Sequence, residues 1–285
     1  DAVLRKAADA MLAVPATADY QDYATAHVTE IIDRYRPDVL WNDVAWPPGG
    51  DLAALFAHYY NTVPDGVIND RWIQPSGRRN VITDSLTRAA GDLIQLLWKH
   101  IPEKDKQLTF PGAHWYDFRT PEYAVFDTVQ DKKWEATRGV GHSFGANRNE
   151  RPQDIVTATE LVHMLVDVVS KNGNLLIGIG PDAQGRIVPE QQAPLRGLGE
   201  WMAAHGDVIR GSRPWTAPAT ETTEGTPVRF VRKGDEVFAI LLGLPGMRTF
   251  GLRGVDGIDE ITLPERVPVE PAYVVPLGTG ARWSG

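Results

Sequence analysis

The sequence predicts an α/β protein in which a partial TIM-like (β/α) barrel, about the C-terminal half of one, spans residues 1–210. A small all-β, sandwich-like domain is predicted for residues 211–285. Two observations predict this organisation. Amphipathic helical segments alternate with short apolar strands as far as about residue 206, which is typical of parallel β/α architecture. Beyond about residue 211, short β-rich runs separated by Gly, Asp and Pro take over.

The first part of the chain reads as one β-α-β unit. Apolar residues at helical spacing predict a helix over residues 19–36, and Pro37 ends it because the residue before proline is disfavoured in the α region. A strand over 38–43, a helix over 51–60 and a strand over 66–71 follow. Residues 1–18 predict only one weakly amphipathic helix.

The rest of the barrel region continues the alternation. The pattern predicts, in order, a helix over 84–100, an extended segment over 134–140, a helix over 157–169, a strand over 174–179 and a helix over 189–204 capped by Gly206. In the second domain, we predict strands over 227–230, 237–242, 249–252 and 272–275, a hairpin turn at 233–235, and a linker over 214–225.

Composition excludes several classes of protein. The 285 residues are 42% apolar and 23% charged, which suffices for one substantial core and a smaller second domain. Lys and Arg number 29 against 37 Asp and Glu, a net charge of −8, so neither nucleic acid nor an anionic membrane surface is an expected partner. The absence of Cys excludes disulfides and thiolate chemistry. No apolar run suggests a membrane span, and a cytoplasmic or a secreted location fits equally well.

Asp43 is the first candidate for a catalytic residue. It ends the apolar strand that contains Leu40, and a β/α fold directs functional groups from the C-terminal ends of its strands. An aspartate here also suits a turn or the cap of the next helix. Trp41 and Trp46 bracket it, and tryptophan faces stack on sugar rings, although a place in the core suits both equally well.

A second group of candidates follows the next strand. Arg71 lies at the end of that strand, where it suits a substrate hydroxyl, the tuning of a carboxylate, or a structural Arg–Asp pair. An aromatic loop containing Trp115 then leads to Glu122. Such a loop is a reasonable place for a general acid, although a lone glutamate in a loop is usually only solvated. Trp115 adds a third candidate for sugar stacking.

Several motifs together resemble those of family 29 glycoside hydrolases, the retaining α-L-fucosidases. They are Pro37-Asp38-Val39-Leu40-Trp41-Asn42-Asp43 with Trp46-Pro47 after it, Val67-Ile68-Asn69-Asp70-Arg71-Trp72, Asp117-Phe118-Arg119-Thr120-Pro121-Glu122-Tyr123, Trp134-Glu135, Ser143-Phe144-Gly145-Ala146-Asn147, and Leu165-Val166-Asp167-Val168-Val169-Ser170-Lys171-Asn172-Gly173-Asn174-Leu175-Leu176 with the nearby Gly180-Pro181. The resemblance covers about residues 19–242.

The resemblance implies roles for individual residues. Asp43 becomes the nucleophile and Glu122 the acid/base, with Glu135 and Glu150 as alternatives for the acid/base. Trp41 and Arg71 become pocket residues. The implied substrate is a fucosylated glycan or an aryl fucoside, and the implied mechanism requires no metal and no cofactor. The rival hypotheses are a retaining glycosidase for another sugar and a catalytically silent glycan-binding protein.

No motif in the sequence resembles the N-terminal part of the family's catalytic domain. No pair of adjacent histidines occurs, and residues 74–111 form a longer insert than the family pattern suggests. About five predicted strands cannot close an eight-stranded barrel. We therefore expect a homo-oligomer whose chains complete one another's barrels, with a different partner chain as the second hypothesis.

Overall fold

The computed structural model describes residues 14–74, Ser85, Ala89 and 115–284. Apart from Ser85 and Ala89, the helix predicted for residues 84–100 lies outside the described residues, as do most of the helix predicted within residues 1–18 and most of the 74–111 insert. The chain divides into two compact units, Asp1–Pro121 and Glu122–Gly285.

The first unit begins with helix α1 (Ala18–Tyr35), as predicted. The hydroxyl of Thr17 accepts the backbone N–H of Tyr20 at 3.4 Å and so caps the first turn. Arg36 then takes a left-handed conformation with φ of 43°, and Pro37 prevents any continuation. The two ends of α1 therefore have identifiable causes in the sequence.

Two short parallel strands follow, joined by a helix. Strand β1 (Val39–Leu40) pairs with β2 (Val67–Ile68), and α2 (Leu52–Thr62) connects them, capped by Asp51. This confirms the β-α-β unit, although both strands are shorter than predicted.

Side-chain amides extend the pairing past the ends of β1 and β2. Asn69 Oδ1 accepts the backbone N–H of Asn42 at 3.0 Å, and Asn69 Nδ2 donates to the carbonyl of Asn42 at 2.8 Å. An amide side chain thus replaces backbone pairing, and the chain leaves the strand conformation before Asp43.

The core of the first unit lies between the helices and the two strands. Its members are Ile32, Leu40, Trp46, Leu52, Leu55, Phe56, Tyr59, Ile68 and Trp72, all at most 6% exposed. The hydroxyl of Tyr59 donates towards the carbonyls of Pro37 and Asp38, at 2.9 and 3.1 Å, so it fastens α2 to the start of β1.

The second unit starts with another parallel pair. Strand β3 (Trp134–Gly139) pairs over its whole length with β4 (Gly173–Gly178), and α3 (Ala158–Ser170) connects them. Thr157 and Glu160 form a reciprocal capping box at the start of α3. The three predicted elements are confirmed within one or two residues.

Helix α4 (Pro189–Ile209) is longer than predicted. We expected Gly206 to end it, but Gly206 lies inside the helix and the left-handed glycine is Gly211, with φ of 71°. The extra turn buries Ile209 against the core of this unit, which outweighs the low helix propensity of a glycine.

A four-stranded antiparallel sheet completes the second unit. Its strands are β5 (Arg213–Glu221), β6 (Pro227–Lys233), β7 (Glu236–Leu241) and β11 (Tyr273–Gly278). They lie in the order β11-β7-β6-β5. Smaller antiparallel pairs join β8 (Thr249–Phe250) to β10 (Ile261–Thr262) and β9 (Val255–Asp256) to β12 (Arg282–Trp283). The predicted hairpin turn at 233–235 connects β6 and β7.

The linker predicted over residues 214–225 is wrong, because most of it is β5. Trp215 and Ala217 are buried in the sheet's core, at 9% and 5% exposure. Proline is tolerated there because β5 is the edge strand and one side of it needs no donors.

These elements confirm the α/β class, and the described residues form no closed barrel. The derivation from a TIM-like barrel, the sandwich-like second domain, the boundary at residue 210 and the homo-oligomer stay predictions. No helix in the described parts of the chain is long and apolar enough to cross a membrane.

Candidate active site

Asp43 follows β1 at its C-terminal end, as the sequence indicated. Its carboxylate is 57% exposed, and Oδ1 accepts a hydrogen bond from Arg71 Nη1 at 3.0 Å. The same oxygen accepts the backbone N–H of Val44 at 2.8 Å. Within the described part of the chain, both of these hydrogen bonds end on Oδ1, so neither of them occupies Oδ2.

The backbone directly after Asp43 is strained. Val44 has φ of 75°, a conformation that a β-branched residue rarely adopts. Such an outlier costs about 1–3 kcal/mol and persists only where surrounding contacts impose it. Here the hydrogen bond from Trp46 N to the carbonyl of Ile73, at 2.7 Å, holds the far side of the turn. Strain of this kind is typical of functional sites.

Arg71 is almost entirely buried, at 3% exposure. Its Nε donates to Thr120 Oγ1 at 2.7 Å and its Nη2 to the Thr120 carbonyl at 2.9 Å. Thr120 in turn donates from its hydroxyl and its backbone N–H to Asp70 Oδ1, at 2.7 and 3.0 Å. The sequence predicts a carboxylate as one partner of Arg71, but no local pattern indicates Thr120, which is 49 residues away.

Thr120 is brought to this place by its own segment of the first unit. Phe118 forms a parallel bridge with Asn69 beyond the end of β2. Asp117 accepts hydrogen bonds from the backbone N–H of Ile68 at 2.8 Å and from the hydroxyl of Tyr60 at 2.7 Å. Burial and the adjacent Asp117 carboxylate raise the pKa of Tyr60, so its hydroxyl remains a donor at neutral pH.

Two of the predicted tryptophans lie near this carboxylate in different ways. The guanidinium carbon of Arg71 lies 4.7 Å from the ring centroid of Trp41, a cation–π contact. Trp46 is 3% exposed and packs 5.4 Å from Trp72 in the core. Trp46 also borders a cavity of about 500 Å³ that reaches Asp43 and the Tyr23 ring. Its packing favours a structural role, and a role in binding stays a prediction.

Trp115 is the third predicted stacking residue. It is 56% exposed, and its ring centroid lies 6.4 Å from that of Phe56, in an edge-to-face arrangement. The ring therefore contacts the core at Phe56 while a little over half of the residue is exposed.

Glu122 lies beside β3 at the start of the second unit. It forms a parallel bridge with Thr137, two residues before the strand ends, and Tyr123 N donates to the Thr137 carbonyl at 3.0 Å. Tyr123 has φ of 49°, and its hydroxyl accepts the backbone N–H of Gly139 at 3.1 Å. The backbone next to Glu122 is thus strained and held to β3 by two hydrogen bonds of Tyr123. No local pattern in the sequence indicates this role of Tyr123.

The two alternatives for the acid/base differ in their surroundings. Glu135 and Thr137 project from the same face of β3, since alternate residues of a strand share a face, and Glu122, which pairs with Thr137, projects from that face too. Glu150 Oε1 accepts the backbone N–H of Ser143 at 2.8 Å, and a Cβ added at Gly141 would lie 2.5 Å from both of its carboxylate oxygens. These contacts tie Glu150 into its own loop and favour a structural role.

No group of three or more His, Asp or Glu side chains within residues 14–74 and 115–284 is arranged to hold a metal ion. The candidate residues described above are carboxylates, one buried guanidinium and aromatic rings. That combination is suited to acid–base and nucleophilic chemistry on a neutral sugar.

Comparison with known proteins shows which family this sequence resembles. The sequence model of the family described as alpha-L-fucosidase matches residues 4–207. The alpha-L-fucosidase of Branchiostoma floridae is 28% identical over 249 residues, which cover 83% of this chain and 47% of that protein. The tissue alpha-L-fucosidase of Homo sapiens is 27% identical over 223 residues, 76% of this chain and 40% of that protein. The chain thus spans about half the length of these relatives.

Solved structures give the same relationship. The crystal structure of Thermotoga maritima alpha-fucosidase has a TM-score of 0.70 and 35% identity, and the match covers 92% of this chain and 57% of that one. The structure of that enzyme in complex with fucose has a TM-score of 0.67 and 36% identity, over 88% of this chain and 54% of that one. Since the family model matches well over half of the sequence, this chain belongs to the α-L-fucosidase family.

Proposed function

We propose that this chain carries the catalytic carboxylates of a retaining α-L-fucosidase, with Asp43 as the nucleophile and Glu122 as the acid/base. The observation that supports this best is the hydrogen bond between Asp43 and the buried Arg71, at the C-terminal end of β1. A partly exposed carboxylate held by a fixed cation on a strained turn is suited to attack a substrate. Membership of the family supplies the substrate class.

In the first step, Asp43 Oδ2 attacks the anomeric carbon of the fucosyl residue. The bond from that carbon to the aglycone oxygen breaks as the bond to Oδ2 forms, and Glu122 donates its proton to the departing oxygen. Oδ1 keeps its hydrogen bonds to Arg71 and Val44 while charge leaves the carboxylate.

In the second step, water attacks the same carbon from the face that the aglycone left. Glu122 now accepts a proton from that water, and the bond between the sugar and Asp43 breaks. Arg71 stabilises the carboxylate that re-forms. Two inversions return L-fucose with its original anomeric configuration.

The geometry expected of this pair is specific. Retaining glycosidases hold their two carboxyl groups about 5 to 5.5 Å apart, and we expect this spacing for Asp43 and Glu122 in a complex with substrate. If Glu135 took that place instead, the assignment of the acid would be wrong and that of the nucleophile would stand.

The proposed substrates are terminal α-L-fucosides, in fucosylated glycans or as aryl fucosides. Trp41 and the exposed ring of Trp115 are the proposed walls for the apolar face of the sugar. The net charge of −8 also favours a neutral sugar over an anionic one.

Hydrolysis of nitrophenyl glycosides by the purified chain tests the proposal. We expect turnover of the α-L-fucoside and none of the β-D-galactoside or α-L-rhamnoside. Asp43→Gly should lower kcat by at least about 10³-fold, and azide should restore part of it by taking the vacated place. Asp38→Asn, an exposed aspartate at the other end of β1, is the matched control and should keep wild-type activity.

Each rival hypothesis has its own outcome in these assays. Turnover of another glycoside in preference to the fucoside would support a glycosidase for a different sugar. Binding of L-fucose without turnover of any glycoside would support the silent glycan-binding protein. Normal turnover by Asp43→Gly would contradict the proposed mechanism.

A further inference from the structure

We propose that Thr120 is a positioning residue for the nucleophile, holding the guanidinium of Arg71 so that Nη1 meets Oδ1 of Asp43. This inference rests on the proposed function, because it assigns Arg71 and Asp43 to one reacting site. Thr120 itself does not touch the carboxylate and acts only through Arg71.

The guanidinium of Arg71 is fixed at three nitrogens. Nε and Nη2 donate to the hydroxyl and the carbonyl of Thr120 at 2.7 and 2.9 Å, and Nη1 donates to Asp43 at 3.0 Å. Because guanidinium is planar and rigid, two bonds to one residue determine where the third nitrogen points. Arg71 is 3% exposed, so water cannot readily replace a lost partner.

The direction of the Thr120 hydroxyl proton is also fixed. A hydroxyl has one proton, and that of Thr120 is donated to Asp70 Oδ1 at 2.7 Å. Its oxygen is therefore free to accept from Arg71 Nε. Thr120 is 1% exposed and Asp70 6%, so this relay of hydrogen bonds from Asp70 through Thr120 to Arg71 is shielded from solvent.

Threonine followed by proline is unusually stiff. Pro121 restricts the backbone of Thr120 to extended conformations, which fixes the direction of its carbonyl. The branched side chain restricts χ1, which fixes the direction of its hydroxyl. Both acceptors for Arg71 are thus in place before any substrate binds.

The nucleophile needs this support because it has little of its own. Asp43 is 57% exposed, and besides Arg71 its carboxylate is held, within the described residues, only by the adjacent Val44 N–H. A guanidinium free to rotate would leave the carboxylate in several orientations, of which few suit in-line attack. A misplacement of about 1 Å in a reacting group can cost about 100-fold in rate.

Substitution of Thr120 tests the proposal in the full chain. Thr120→Val keeps the shape and removes only the hydroxyl, and we expect kcat on nitrophenyl α-L-fucoside to fall roughly 30- to 100-fold while KM changes less than about threefold. Thr120→Ser keeps the hydroxyl and loses some stiffness, so its kcat should stay within about fivefold of wild type. Thr120→Ala is the second deletion of the hydroxyl, for use where valine perturbs folding.

A second readout does not require turnover. In wild type we expect the Nε–H of Arg71 to exchange slowly with solvent by NMR, and in Thr120→Val to exchange at least about tenfold faster, because its acceptor is gone. Thermal unfolding of each variant separates these effects from a general loss of stability.

The outcomes separate the two proposals. Wild-type kcat and slow exchange in Thr120→Val would overturn the positioning role, as would failure of serine to restore what valine loses. A wild-type chain without turnover whose Arg71 is released by Thr120→Val would overturn the proposed function and support the role of Thr120.

Discussion

Asp167 of α3 holds two cations at once, and the stability of the second unit should depend on it. Its Oδ2 lies 2.7 Å from Lys171 Nζ and its Oδ1 lies 2.5 Å from Arg229 Nε, on β6. The side chains of Asp167, Lys171 and Arg229 are 18%, 9% and 21% exposed. Lys171 also offers its carbonyl to Trp134 Nε1 at 2.9 Å, so the cluster joins α3, β3 and β6.

The expected cost of Asp167→Asn follows from these distances. At an effective dielectric constant of about 20, two unit charges 2.7 Å apart attract by about 6 kcal/mol before desolvation is subtracted. Removing one partner of a buried ion pair costs about 3–5 kcal/mol, because the other charge stays buried without compensation. Asparagine offers one acceptor oxygen to two cations. Since water reaches part of this cluster, we expect a loss of about 3 kcal/mol.

Urea unfolding followed by circular dichroism measures this loss. For an m-value of about 2 kcal/mol/M, the midpoint of the second unit's transition should fall by about 1.5 M. Glu221→Gln is the matched control, because its ion pair with Arg253 is exposed on both sides, at 52% and 59%, and worth less than about 1 kcal/mol. Equal shifts for the two variants would refute the reasoning, because burial would then make no difference.

Three further predictions concern the second unit. Tyr123→Phe removes the hydroxyl that accepts the backbone N–H of Gly139, so we expect about 1–2 kcal/mol lower stability and roughly tenfold lower kcat on nitrophenyl α-L-fucoside. Unchanged kinetics would contradict the idea that Tyr123 positions Glu122. Gly173→Ala places a Cβ 2.6 Å from the Trp134 ring and should lower the free energy of unfolding in urea by about 1–3 kcal/mol. Gly199→Ala, whose Cβ enters open space on α4, should raise it by up to about 1 kcal/mol, and equal effects would refute the packing argument. Hydrogen bonds from Thr157 lower the pKa of Glu160, so the stabilisation that its carboxylate contributes is complete above the usual glutamate pKa and is lost as pH falls through the lower folded-state pKa. The difference in unfolding free energy between wild type and Glu160→Gln should therefore shrink below about pH 4. A difference that grows on acidification would contradict this prediction.

Local chemistry determined the features that the sequence predicted well. Thr17 and Arg36-Pro37 mark the ends of α1, and the Thr157 capping box marks the start of α3, because these signals act over three or four residues. The positions of Asp43 and Arg71 at strand ends follow from the short apolar runs before them and from the resemblance to a family.

Features that depend on distant residues were missed. The hydrogen bonds of Thr120 reach Asp70 and Arg71 across 50 and 49 residues, and no local pattern indicates such a contact. The prolines and threonines of β5 are typical of a linker, and the burial of Trp215 that makes this segment a strand depends on distant parts of the sheet. The end of α4 was placed at Gly206 because burial of Ile209 cannot be read from helix propensity.

Trapping the covalent intermediate tests the central claim most directly. Incubation with 2-deoxy-2-fluoro-α-L-fucosyl fluoride, a slow substrate for a retaining enzyme, should leave a fluorofucosyl group on one carboxylate, which peptide mass spectrometry locates. We expect stoichiometric labelling of Asp43 and none in Asp43→Gly. Labelling of Glu122 or of any other residue, or turnover of nitrophenyl α-L-fucoside with inversion of the anomeric carbon by NMR, would contradict it.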